Sequence, residues 1–228
     1  MGKWWMVFAV ALSLQAVFWW HTVDYYPRME VVPPVPSEVM VEALSLGDKQ
    51  AFFRILALNL QNFGDSYGRF TPLKDYNYRE LARWFYLLDK LDHRSDHIPS
   101  LASYYFSQTQ HVPDVEFLVR YLEHHTHNRL QDKWWWRTQA VYLANHKLKR
   151  PQWAMELAKP LTYEKGLPIW VRQLPAFLYE QRGEFGDALM IMEHVREHAD
   201  DLTPGELNFI RYFIEERIQA LDKASQGE

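Results

Sequence analysis

The residue spacing with the sharpest chemical meaning is His194-Val195-Arg196-Glu197-His198. It matches H-x-x-E-H, in which two histidines one helical turn apart bind zinc and the glutamate activates a water. A membrane-tethered zinc hydrolase using His194, Glu197 and His198 is therefore one reading of the chain. Two features count against it. About thirty residues follow the motif, little chain for a downstream acidic ligand and a substrate cleft. The apolar stripe of the same segment, Phe185, Ala188, Leu189, Met192 and Val195, also puts both histidines beside the core. Imidazoles near the negative end of a helix need no metal to be there.

A second cluster is His124-His125-Thr126-His127. On a helix His124 and His127 share a face while His125 points away. The further donors at hand are Glu123 and, if a turn brings it close, His111. A solvated helix end is the simpler expectation, so neither a metal nor a cofactor is expected. No glycine-rich phosphate loop, Ser-His-Asp spacing or G-x-S-x-G elbow occurs. The chain has no cysteine, which excludes disulfides, thiol catalysis and thiolate metal sites. A net charge of −4 without a lysine- or arginine-rich stripe argues against nucleic acid as a partner. A binding protein is expected rather than an enzyme.

Binding chemistry is suggested by Trp134-Trp135-Trp136, since tryptophan dominates the energetics of protein interfaces. Three consecutive helical residues span roughly 200° of the helix circumference, so they cannot all face one core. Two are expected to pack inward. The third is expected at a groove, a neighbouring helix pair or the membrane surface. Leu174, Phe177 and Leu178 are expected in the core.

The elements that must position these residues begin with an apolar run. Trp4-Trp5 and Trp19-Trp20 bracket residues 6–18, in which only Ser13 and Gln15 are polar. Indole rings gather where hydrocarbon meets water, making Trp4, Trp5, Trp19 and Trp20 candidate interface anchors on membrane lipid. A helix from Trp4 to Trp20 extends roughly 25 Å against a bilayer core of about 30 Å. Residues 1–23 are thus expected to be a transmembrane anchor. A cleaved signal peptide fits less well: Phe18-Trp19-Trp20 obstructs cleavage, and Ala11-Leu12-Ser13 comes too early. A buried soluble helix is disfavoured by the lack of charge between Lys3 and Asp24. Gln15 seeks a partner inside lipid, worth around 1 kcal/mol across helices, and so hints at contact with a partner helix. Lys3 ahead of the run favours a cytoplasmic N-terminus and an outer C-terminal body, which in a bacterium means inner membrane and periplasm. No second run of about 18 apolar residues follows, so one span is expected.

Residues 24–37 carry prolines 27, 33, 34 and 36 and read as an extended spacer. Ser37 caps the first body helix, and helical periodicity then runs almost throughout residues 38–222, with a disordered tail at 223–228. The fold class is all-α. Thr203-Pro204-Gly205-Glu206 is a capping box stapled by Leu202 and Leu207, ahead of a stripe of Leu207, Ile210, Ile214, Ile218 and Leu221. Asn77 to Asp92 is a second clear helix, with Tyr78, Leu81, Ala82, Phe85 and Leu88 on one face. Gly64, Gly68 and Pro72 make Asn62 to Tyr76 a loop, expected to pack Phe63, Tyr67 and Phe70 over the body or to bind a partner.

Small residues recur along this body. Ala154 lies 34 residues before Ala188, Val115 lies 39 before Ala154, and Ala82 lies 33 before Val115. Ala43, Gly47 and Ala51 mark an earlier unit. Helices approach closely only where a side chain is missing, so these periods suit a stack of helix pairs. Over residues 170–195 the chain resembles tetratricopeptide repeats, through Ala176, Tyr179, Gly183, Ala188 and Met192. Upstream, Lys149 replaces the turn glycine and Asn145 the aromatic, and Pro175 interrupts a predicted helix. The segment Phe70-Thr71-Pro72-Leu73-Lys74-Asp75-Tyr76 is also similar to uncharacterised bacterial membrane-anchored proteins, which imply no activity.

The resemblance implies an α-solenoid that binds proteins, with Tyr179 and its repeat neighbours lining the surface. The expectation is a membrane-anchored scaffold, an assembly factor or accessory subunit of a membrane complex. A stable integral subunit of a respiratory or transport complex is the further alternative beside the hydrolase.

Overall fold

The computed structural model describes residues 2–23, 30–66, 69–199, 202–218, 220 and 223. Helix α1 (Gly2–Thr22) is long and apolar enough to cross a membrane, with every side chain from Lys3 onward exposed. Its 21 residues extend about 31 Å. Ser13 Oγ donates to the Ala9 carbonyl at 2.8 Å, which satisfies one of the two polar interruptions within the helix. Gln15 lies exposed on it, two residues on.

The proline-rich segment joins the body earlier than expected. Residues 24–29 lie outside the described part, but Val32 is 2% exposed and Val31 and Val35 pack on the same core. Trp84 Nε1 donates to the Pro33 carbonyl at 2.7 Å. Prolines hold this backbone extended and remove donors that would need partners, so valines between them can be buried cheaply. The body thus starts near residue 31 rather than 38, as a strap laid against the helix that carries Trp84.

Helices α2 (Glu38–Ser45), α3 (Lys49–Gln61), α4 (Tyr78–Leu91), α5 (His97–Ser100), α6 (Val115–Thr126), α7 (Leu130–Tyr142) and α8 (Pro151–Tyr163) follow. Then come α9 (Ile169–Arg172), α10 (Leu174–Gln181), α11 (Phe185–His198) and α12 (Pro204–Tyr212). Wide π turns extend α5, α7 and α12 at Leu101–Tyr105, Leu143–Lys147 and Phe213–Arg217. Among the described residues the one strand pairing is an antiparallel ladder of β1 (Asp65–Ser66) with β2 (Arg69–Phe70), Asp65 opposite Phe70.

Side-chain caps start the helices where expected. Ser37 accepts from the Met40 amide, Asn77 from Glu80, and Thr203 and Glu206 close the full capping box. Packing runs from neighbour to neighbour: α2 on α3, α3 on α4, α4 on α6, α6 on α7, α7 on α8, α8 on α10, α10 on α11 and α11 on α12. One large core extends from Val32 to Leu178, and a second joins α10, α11 and α12 through Ala176, Met192 and Phe213.

Ala82, Val115, Ala154 and Ala188 are all buried in these contacts. Ala43 and Ala51 are exposed, because the eight-residue α2 turns Val41 and Ser45 inward instead. The α7–α8 and α10–α11 connections share a feature. Lys149 (φ 55°) and Gly183 (φ 75°), 34 residues apart, both take the left-handed conformation that reverses the chain. Pro175 occupies the first turn of α10, where its missing N–H costs that helix no hydrogen bond; α9 ends at Arg172, and Gln173 between them keeps helical dihedrals (φ −81°, ψ −12°).

Of the two aromatics of this loop that the structure describes, one covers the body as expected and the other does not. Phe63 meets Trp84 edge to face at 5.5 Å, whereas Phe70 is 84% exposed at the end of the two-residue ladder. Tyr67 lies outside the described residues. Gly64 (φ 81°) lets the Tyr76 hydroxyl donate to the Phe63 carbonyl; a Cβ there would stand 1.9 Å from that oxygen. In the last helix the π turn swings Phe213 fully inward and leaves Leu207 at the rim; Leu221 is outside the described residues. Most of the expected tail, residues 224–228, is also outside them.

Candidate functional site: an aromatic groove

The tryptophan run on α7 divides three ways. Its first turn is irregular at Lys133 (φ −117°, ψ 17°), a buried lysine. Lys133 Nζ donates to the Arg94 carbonyl at 2.8 Å and to Asp96 Oδ1 at 2.7 Å. The same Asp96 oxygen accepts from Trp136 Nε1 at 2.8 Å. Burial raises the Asp96 carboxyl, but the hydrogen bonds from Lys133 and Trp136 and the lysine charge outweigh it and hold the pKa below its ordinary value.

With Trp136 pinned inward, the 100° step per residue sends its predecessors elsewhere. Trp134 is half-buried against Leu161, Leu167 and Val171. Trp135 is exposed, with its Nε1 donating to the Tyr104 hydroxyl at 2.8 Å.

Trp170, on α9 just after Pro168, completes the arrangement. It stands edge to face with Trp134 at 5.7 Å and with Trp135 at 6.4 Å. Trp134 and Trp135 meet in the same way at 5.7 Å. Behind this rim is a groove of about 430 Å³, within the range of ligand sites. Tyr142, Leu174, Phe177 and Leu178 supply further apolar surface. Thr138, Gln139, Asn145, His146 and Gln181 supply the polar groups. Asn145 Nδ2 donates to Gln181 Oε1 at 3.2 Å, tying the π turn after α7 to the end of α10. Aromatic faces and side-chain amides are the chemistry of recognition.

Trp135 and Trp136 therefore occupy a rim and a core, and Trp134 joins them. Tyr179 does not line this groove. It is half-buried between the two main cores on another side of α10, with Lys159 Nζ 5.8 Å from its ring. Leu174 and Phe177, expected in the core, are only partly buried and face the groove. Tyr104 and Trp170 were not legible as site residues, because only tertiary packing brings them to Trp135; Tyr142, seven residues after Trp135 on α7, shares its helix face and was legible from periodicity alone.

The histidine clusters take other places. His194 and His198 stack face to face at 4.2 Å, and His198 Nδ1 lies 3.0 Å from the His194 carbonyl oxygen. Burial, then the His198 and Arg172 charges, lowers the His194 pKa. Among the described residues no three His, Asp or Glu side chains converge as a metal site, so this pair would need further ligands from elsewhere. His125 is fully buried, its Nδ1 hydrogen-bonded to the Asp89 carboxylate and its Nε2 without a partner. His124 and His127 are exposed at the end of α6, as a solvated helix end requires, and His124 meets Tyr86 edge to face at 5.0 Å; His125 departs from that expectation, turned inward onto α4. His111 pairs with Asp114 at 3.0 Å, within its own turn.

No protein-family model, curated protein or solved structure matches the chain.

Proposed function

We propose that the chain is a single-pass membrane protein whose body is a tetratricopeptide-like solenoid holding a segment of another protein in the aromatic groove. The carrying observation is the exposed, edge-to-face contact of Trp135 with Trp170 above an apolar floor. Large rigid rings fixed on a scaffold bind with little loss of side-chain freedom, which is why tryptophan and tyrosine concentrate binding energy. The occupant is an extended segment with apolar side chains. Trp135, Tyr142 and Trp170 take those side chains, and the Asn145, Gln139 and Gln181 amides meet its main chain.

Support for the solenoid comes from the neighbour-to-neighbour packing, the paired left-handed turns at Lys149 and Gly183, and the buried Ala154 and Ala188 at the same period. Lys3 ahead of α1 supports a cytoplasmic N-terminus and an outer body, with an accessory or assembly role in a membrane complex. Protease added to spheroplasts reads that orientation directly.

A photo-crosslinking residue in place of Tyr142, in intact cells, tests the groove. It yields a discrete adduct that disappears when Trp135→Ala and Trp170→Ala are added, while the same probe at exposed Met190 yields none. Equal labelling at both positions removes the groove as the binding site.

A further inference from the structure

The first helices of the body carry apolar side chains outward. Val39, Met40 and Leu44 on α2 and Ile55 and Leu58 on α3 are all more than half exposed. Leu46, in the turn between these helices, is 92% exposed. It also holds a left-handed backbone (φ 48°, ψ 30°), a conformation that costs a leucine energy and that a polar asparagine or a glycine would adopt more readily. An apolar residue kept in strain at a solvent-facing tip points to use rather than packing.

The strap fixes where this hairpin can be. Only residues 24–29 separate the last described residue after α1 from Glu30, and the chain is docked on the body from Val31. At about 3.5 Å per residue that stretch reaches roughly 25 Å at most. Ser37 then starts α2 five residues past buried Val32. In chain order the apolar hairpin is therefore the first helical element of the body after the span.

We infer that the tip and outward side of the α2–α3 hairpin, led by Leu46 with Met40, Leu44, Ile55 and Leu58, dip into the membrane interface as a second lipid contact. This rests on reading α1 as a membrane span. A short tether makes the bilayer the neighbour at highest effective concentration, and apolar groups at the headgroup–acyl boundary gain what burial gives them elsewhere. The exposed carboxylates on α2, Glu42 and Glu38, are each paired with a lysine, Lys49 and Lys90, so the charges left for a headgroup are the arginines beside the patch. Arg54, Arg94 and His97 line a cavity of about 680 Å³ that Leu58 also lines, beside Asp92 and Ser95. Phosphate headgroups would find cations where the acyl chains find leucine. The Arg94–Asp92 ion pair, at 3.6 Å, leaves Arg54 as the more available of the two.

Because the chain has no cysteine, single labelled cysteines test this in the full-length protein. Leu46→Cys, Leu58→Cys, Phe8→Cys and Met190→Cys, all at exposed positions, are each coupled to an environment-sensitive fluorophore. Each is reconstituted in vesicles of phosphatidylcholine and phosphatidylglycerol carrying shallow nitroxide lipids. Quenching at positions 46 and 58 should exceed that at 190 several-fold and weaken in pure phosphatidylcholine. Quenching at 46 no greater than at 190, with 8 strongly quenched, overturns the proposal and leaves the span intact. An unquenched label at 8 overturns the span reading by itself. Disulfide-linked dimers formed by the unlabelled Leu46→Cys protein on oxidation in the same vesicles, together with no quenching of its labelled form, would assign the hairpin to a second copy and equally overturn it.

Discussion

Trp135 and Trp170 meet edge to face, with 6.4 Å between ring centres and 79° between planes, although 35 residues separate them in the chain. The contact joins α7 to α9 at the mouth of the groove, and Trp134 closes the triangle from behind. Each ring offers its edge to another's face, the arrangement that the charge distribution of aromatic rings favours.

Function and stability should separate along this run. Trp170→Ala removes groove surface and is expected to cost about 2 kcal/mol of partner binding, roughly thirtyfold in affinity, with a small change in Tm. Trp136→Ala removes a 7%-exposed ring and its bond to Asp96, and is expected to cost about 3–5 kcal/mol of folding stability. Thermal melts beside adduct yield from the Tyr142 position distinguish the two. A large Tm loss in the first variant would make Trp170 a core residue instead.

The two left-handed turns offer a matched pair of substitutions. Lys149 pays a conformational penalty that Gly183 avoids. Lys149→Gly is expected to raise stability by up to about 1 kcal/mol. Gly183→Ala should lower it by about 1 kcal/mol through backbone strain alone, since an added Cβ meets nothing within 4 Å. Urea midpoints at constant m-value check both.

That turn also shows how far the residues could be read in advance. Helix starts were legible at Ser37, Asn77 and Thr203, because the capping signal is local, although the equivalent Asp48 cap of α3 was not expected. The left-handed state of Leu46 was not legible, because the residue type does not announce it, and at Lys149 it was marked only by the alignment of that position with the turn glycine Gly183. The division of Trp134, Trp135 and Trp136 followed from helical geometry, but their assignment needed Asp96, which lies 40 residues from Trp136. The Asp89–His125 pair was hidden for the same reason: two elements far apart in sequence had to meet before a histidine in a polar-looking string could be buried.

The strap predicts a stability boundary. A soluble fragment beginning at residue 30 should melt higher than one beginning at 38, since the shorter fragment bares the surface under Val32 and frees Trp84 Nε1. Val32→Ala in the longer fragment isolates the packing part and is expected to cost about 1–3 kcal/mol. Identical melting of the two fragments would return residues 30–37 to the role of a spacer.

Asp96 gives the body an acid sensitivity with a defined sign. Its folded pKa lies below the unfolded value of about 3.9, because Lys133 and Trp136 hydrogen-bond to the carboxylate and Lys133 and His125 add favourable charge. A depressed carboxyl favours the folded state when ionised. Its contribution is therefore fully present above the unfolded pKa and disappears as pH falls through the folded one. The Asp96 side chain is 65% exposed, so solvent screening keeps the effect small, about 1 kcal/mol or less at neutral pH. Asp96→Asn should lower the unfolding free energy read from urea titrations at pH 7 by that amount, and the difference should close towards pH 2, where both carry a neutral group. Lys133→Met removes the buried cation and should shrink the pH dependence in parallel. A gap between wild type and Asp96→Asn that stays constant down to pH 2 would show that shape at this position, rather than charge, holds Trp136 in place.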